Sequence, residues 1–290
     1  MHTQKIIQKL DVYERLMRLD KPIGILLLLW PTLWALLIAG RGKPDWIVVL
    51  IFVTGTVLMR SAGCVMNDIA DSQYDALVER TKQRPLASQE ISKKEAYLLA
   101  AILSLVAFGL VSLLNTLTIQ LSALALLVAV SYPFAKRFLA VPQAYLGIAF
   151  GFGIPMAFAA IIDYIPPIAW ILLLANVFWA IAYDTEYAMV DRDDDLKIGI
   201  KSSAITFGRF DVLAVMLCYA LTLLLLAVAG RWLLMGYAYY LGLAAAAGIA
   251  VYHYFLIRKR EKTDCFKAFL GNNWFGFAVF AGMAGHYLSQ

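Results

Sequence analysis

Polar and apolar residues along this chain separate into long blocks. Nine stretches are almost continuously apolar, at roughly 22–40, 46–66, 97–114, 118–135, 143–162, 167–183, 210–229, 232–257 and 266–288. Each is close to the ~20 residues that an α-helix needs to cross a ~30 Å hydrocarbon layer. A membrane barrel would show weak alternation with a period of two instead. The pattern predicts an all-α integral membrane protein with nine transmembrane helices, forming a single polytopic domain over residues 1–290.

Composition sharpens this picture. A hydrophobic content of 62% and a mean hydropathy of +0.72 exceed what the interior of a soluble chain of 290 residues can hide. No cleavable signal is expected, because the first 21 residues mix Lys5, Lys9, Arg15, Arg18 and Lys21 with acidic side chains. Cys64, Cys218, Cys265, His2, His253 and His286 lack metal-ligand spacing, which sets aside a zinc or haem site.

Charge assigns the sides. Of the 25 Lys and Arg residues, 21 fall at the N-terminus and around the connections after the second, fourth, sixth and eighth stretches. The positive-inside rule makes those segments cytoplasmic and the C-terminus periplasmic, for a multi-pass protein of a bacterial inner membrane. The connections after the second and sixth stretches, about 67–96 and 184–209, are long and are expected to form cytoplasmic cap loops. They lie four helices apart, which suggests a four-plus-four repeat with a ninth helix appended.

Ten of the 20 acidic residues gather in two clusters in these connections. The first holds Asn67, Asp68, Asp71 and Asp75, followed by Glu79. The second runs from Asp184 and Glu186 through Asp191, Asp193, Asp194 and Asp195. On a helix, Asp68, Asp71 and Asp75 share one face, as do Asp184, Asp191 and Asp195. Like charges stacked in this way repel unless cations lie between them. Oxygen donors without His or Cys suit Mg²⁺, Ca²⁺ or Mn²⁺, and Mg²⁺ commonly combines one or two carboxylates with substrate phosphates. Charged cytoplasmic loops are ordinarily solvated surface, but two clusters with the same aspartate spacing, Asp71/Asp75 and Asp191/Asp195, favour a metal site. Arg80, Lys82 and Arg84 follow the first cluster, Lys197 and Lys201 the second, and Lys136 with Arg137 ends the fourth stretch on the same side. These are candidate diphosphate contacts. Arg60, inside a span, shares a helical face with Cys64, Asn67 and Asp71 and so points to the same cleft.

At these residues the sequence resembles the intramembrane (UbiA-type) aromatic prenyltransferase family, and within it the branch that acts on 4-hydroxybenzoate. The resemblance is carried by Asp20-Lys21-Pro22-Ile23-Gly24, the two aspartate motifs, Arg80-Thr81-Lys82-x-Arg84-Pro85, Tyr132-Pro133-x-x-Lys136-Arg137 and Lys197-x-x-x-Lys201-Ser202. It implies a nine-span fold around a central cavity, Mg²⁺ as cofactor, and polyprenyl diphosphate and 4-hydroxybenzoate as substrates in ubiquinone biosynthesis. Carried over by position, Asn67, Asp68, Asp71, Asp75, Asp191 and Asp195 bind the metal, with Asp71 and Asp191 catalytic. Arg60, Tyr132 and Arg137 are the candidates to meet the acceptor. Other acceptors in the same family, naphthoate, homogentisate or haem, are the alternatives. A cation transporter is disfavoured because mid-span carboxylates are absent from the apolar stretches as read.

Overall fold

A computed structural model describes residues 2–75, 81–135, 137–199 and 201–290, with side chains from Ile7 onward except those of 73–75 and 198. The described residues form helices and no strand: α1 (His2–Met17), α2 (Ile23–Ala39), α3 (Trp46–Asp75), α4 (Lys93–Val111), α5 (Thr116–Ala135), α6 (Pro142–Gly151), α7 (Gly153–Ile162), α8 (Pro167–Ile198), α9 (Ser203–Phe207), α10 (Asp211–Trp232), α11 (Tyr237–Ile257) and α12 (Lys262–Leu288). Seven of the described helical segments are long and apolar enough to cross a membrane, with α6–α7 and α9–α10 each counted as one. The apolar α2 is shorter, at 17 residues. α12 interrupts its apolar run with Asn272, Asn273 and His286.

Large apolar side chains lie on the outside of the bundle, including Leu105, Leu127, Leu224 and Phe255. Such a surface belongs against lipid rather than water. Inside, Trp34 of α2 stacks on Trp179 of α8 at 5.4 Å, Trp179 stacks on Phe275 of α12 at 5.5 Å, and Tyr183 meets Trp179 edge-on. Close helix approach is set by small residues. A Cβ on Gly282 would fall 2.9 Å from the Gly242 Cα, which fixes the α11–α12 crossing.

Two of the expected connections are helices for part of their length. The second apolar stretch continues as α3 to Asp75, and the sixth continues as α8 to Ile198, so both aspartate motifs ride on helix ends rather than in loops. An apolar run measures how much of a helix lies in lipid, whereas the helix ends where its hydrogen-bond ladder is capped. For α8 that cap is Gly199, at φ 72°, whose N–H donates to the Asp195 carbonyl. Likewise α4 starts at Lys93 rather than 97, because the Ser92 hydroxyl accepts from the Glu95 N–H and caps the helix. The stretch 143–162 is broken at Phe152 into α6 and α7.

The apolar pattern gives no signal for α1. Its Leu16 packs in a separate small core with Val65, Ile69, Leu86 and Ile91. Arg15 pairs with Glu90 at 2.5 Å and Lys9 with Glu95 at 2.8 Å, which fastens α1 to the segment leading into α4 and to the first turn of α4 itself.

Candidate active site

The bundle encloses one large cavity of about 1470 Å³. At one end it is lined by Asn67 and Asp71 from α3 and by Asp184, Asp191 and Asp195 from α8. The two carboxylate faces therefore open into a shared chamber. Helical geometry explains why. Arg60, Cys64, Asn67 and Asp71 follow an i, i+4, i+7, i+11 stripe, and Asp184, Asp191 and Asp195 a second one, so each helix presents a single polar edge. The remainder of the cavity is largely apolar, with Leu27, Phe52, Met59, Val111, Leu146 and Phe150 among its walls.

Basic side chains ring the acidic end. Lys82, Arg84 and Lys201 line it, and the Lys201 ammonium donates to the Phe138 carbonyl at 3.2 Å. Arg60 lines the wall, where it donates to the Cys64 sulfur at 2.6 Å and lies 5.6 Å from the Phe150 ring. Its Nε is buried without a hydrogen-bond partner. The rings of Tyr132, Tyr183 and Tyr187 face the same space.

Other expected residues lie elsewhere. Asp68 is 1% exposed and does not line the cavity; its Oδ1 accepts from Arg18 at 2.7 Å and from Arg84 at 3.1 Å. Arg137 is exposed, donating to the Ala70 carbonyl and lying over Phe134, and Lys197 pairs with Asp194 at 3.1 Å. Neither lines the cavity. Arg80, Lys136 and the Asp75 side chain lie outside the described residues.

Several lining residues escape a reading of the sequence alone. Arg15, Arg18 and Lys21 reach the cavity from the α1–α2 corner, and Lys262 reaches it from the start of α12 while pairing with Asp193 at 2.9 Å. Their basic character merges with the positive-inside signal, and only tertiary folding selects them. The second motif is braced from behind by Asp211, fully buried, which accepts from Arg192 at 3.3 Å and from Arg260 at 2.6 Å. Further back, Glu186 is also fully buried, accepting from Tyr219 at 3.0 Å and from Asn272 at 2.8 Å, with His253 on the same hydroxyl. That buried carboxylate lies beyond the apolar stretch 167–183, in the extension of α8 that the apolar run misses.

Among the described residues, no three His, Cys, Asp or Glu side chains come close enough to hold a metal unaided. The donors that line the chamber are carboxylate and amide oxygens beside Lys and Arg. That set fits a hard divalent cation whose remaining ligands are phosphate oxygens.

Comparison with known proteins agrees with this chemistry. Residues 28–280 match the UbiA prenyltransferase family. The chain is similar to a 4-hydroxybenzoate octaprenyltransferase of Azoarcus sp. (strain BH72), 66% identical over 97% of this chain and 98% of that one. It is likewise similar to a protein of that name from Methylobacillus flagellatus, 64% identical over 98% and 96%. Among solved structures, a UbiA homolog from Aeropyrum pernix K1 superposes with a TM-score of 0.78 at 27% identity, over 89% of this chain and 96% of that one. A UbiA homolog from Archaeoglobus fulgidus, bound to DMAPP and Mg²⁺, has a TM-score of 0.68 at 18% identity over 92% and 98%. Helical architecture, paired aspartate motifs on one chamber and these likenesses lead to one conclusion: the chain belongs to the UbiA prenyltransferase family.

Proposed function

We propose that this enzyme transfers a polyprenyl group from polyprenyl diphosphate to the ring carbon ortho to the hydroxyl of 4-hydroxybenzoate, giving 3-polyprenyl-4-hydroxybenzoate for ubiquinone biosynthesis. The observation that carries the reading is a single cavity with a carboxylate- and guanidinium-lined end and a long apolar remainder. Such a chamber suits a substrate with a diphosphate head and a hydrocarbon tail. The relatives named for this activity support the acceptor.

Asn67, Asp71, Asp191 and Asp195 would hold Mg²⁺, which when bound supplies charge neutralisation on the departing diphosphate. Arg18, Lys82, Arg84 and Lys201 add donors to the same oxygens. The apolar walls exclude water from the allylic cation, and the faces of Tyr132, Tyr183 and Tyr187 stabilise its charge. Asp191 takes the phenol proton as the ring carbon attacks, and loss of the hydrogen from that carbon with return of a proton to the oxygen restores the aromatic phenol. Arg60 is assigned the acceptor carboxylate, because its buried Nε lacks a partner inside the cavity wall. With α2 and α12 counted, the chain crosses a bacterial inner membrane nine times, its N-terminus and the mouth of the site cytoplasmic.

The test is to supply membranes with radiolabelled 4-hydroxybenzoate, an allylic polyprenyl diphosphate and Mg²⁺. Label is expected in a lipid-extractable product, lost with EDTA and restored by Mg²⁺. Product formed only with a naphthoate, homogentisate or haem acceptor would move the enzyme to another branch, and ion flux without product would refute prenyl transfer.

A further inference from the structure

The first aspartate motif divides in the folded chain. Asn67 and Asp71 line the cavity, whereas Asp68, about 60° round α3 from Asp71 at 100° per residue, is buried behind its wall. One Asp68 oxygen accepts from two guanidiniums, those of Arg18 at 2.7 Å and Arg84 at 3.1 Å. Both arginines, unlike Asp68 itself, line the cavity. They come from different places, Arg18 from the end of α1 and Arg84 from the segment ahead of α4, and Asp68 ties them together.

Arg18 also has a φ of 56°, in the left-handed region that favours glycine. A residue with a Cβ persists in such a conformation when its surroundings over-determine it. Here the side chain supplies the reason, since that backbone turn delivers the guanidinium to Asp68.

We propose that Asp68 is a positioning residue: it holds Arg18 and Arg84 as a paired guanidinium clamp on the diphosphate, and leaves metal coordination to Asn67, Asp71 and the α8 carboxylates. Two cations on one buried carboxylate leave a net positive pair facing the chamber, and the planar forks match phosphate oxygens. The inference rests on the diphosphate reading above and assigns separate tasks to adjacent aspartates of one motif.

The test uses the full chain purified in lipid nanodiscs, with inorganic pyrophosphate as probe, titrated calorimetrically over a series of Mg²⁺ concentrations. Asp68→Asn is expected to raise the pyrophosphate Kd at least tenfold at every Mg²⁺ concentration. The Mg²⁺ concentration giving half of the enhancement should stay within twofold of wild type. Arg18→Gln and Arg84→Gln should behave alike, and either replaces Asp68→Asn if that variant does not fold. Asp71→Asn should instead shift the Mg²⁺ midpoint. The Asp68 Oδ2 has no hydrogen-bond partner, so a role as metal ligand would show itself directly. An Asp68→Asn midpoint displaced as far as that of Asp71→Asn, or an unchanged pyrophosphate affinity, overturns the proposal. No prenyl transfer is needed for this readout, so loss of the acceptor reading would leave it interpretable.

Discussion

At the scale of single residues, the chamber sorts side chains by what they face. Asp71→Asn and Asp191→Asn are expected to lower turnover on the order of a hundredfold or more, as loss of a group that stabilises developing charge does. Membrane levels of both variants should match wild type by immunoblot. Arg60→Gln should raise the KM for 4-hydroxybenzoate ~10- to 100-fold, the scale of one charge-assisted hydrogen bond at about 1.5–3 kcal/mol, with the KM for the diphosphate nearly unchanged. The residues behind these expectations were legible because helical spacing alone places them: Arg60, Asn67 and Asp71 repeat on one stripe of α3, and Asp191 and Asp195 on one stripe of α8. Asp68 was not separable from Asp71 on those grounds, since both fall within one broad face. Arg18 and Lys262 were not legible at all, because turns at the ends of α1 and α11 decide where they point.

At the scale of elements, the ties between helices govern stability. The Arg15 guanidinium, followed by the Ser88 hydroxyl, holds the Glu90 carboxyl below its ordinary range. A carboxyl whose folded-state pKa is depressed contributes fully above its unfolded value and loses that contribution as pH falls through the depressed one. Docking of α1 should therefore hold at neutral pH and weaken only below the ordinary carboxylate range near 4. A fluorophore on Leu10→Cys should report release there and not between pH 6 and 8. Behind α8, Glu186→Ala removes one buried acceptor from the Tyr219 hydroxyl and one from the Asn272 amide, which keep His253, each other and the Ala268 carbonyl as partners. Each lost hydrogen bond to a charged group is worth about 1.5–3 kcal/mol. A clear fall in Tm is expected, smaller for Glu186→Gln, which retains hydrogen-bonding atoms at that place. The order of the long apolar helices followed from the apolar runs, but α1, the break at Phe152 and the helix ends did not. Caps such as Ser92 and Gly199 set them, and the polar ends of α3 and α8 protrude beyond the apolar blocks.

At the scale of the whole molecule, polarity runs along the cavity. From Asp71 to Gly55, also a lining residue, α3 advances 16 residues or about 24 Å. A Cβ at Gly55 meets nothing within 4 Å, so Gly55→Phe should project into the apolar length. This variant is expected to accept geranyl diphosphate while turning over long polyprenyl diphosphates poorly, read as a ratio of kcat/KM values. The existence of a membrane bundle was legible from block length, and a shared site from matched aspartate spacing. The shape of the chamber was not, because it depends on which helix faces meet. The central claim is that the carboxylate faces of α3 and α8 grip one metal–diphosphate between them. Its most direct measurement is a Mn²⁺ anomalous-scattering map of the enzyme with an unreactive allylic thiodiphosphate. Manganese peaks are expected inside the cavity, between Asn67 and Asp71 on one side and Asp191 and Asp195 on the other, bridged by phosphate oxygens. Manganese bound at one face alone, or outside the cavity, would contradict the account.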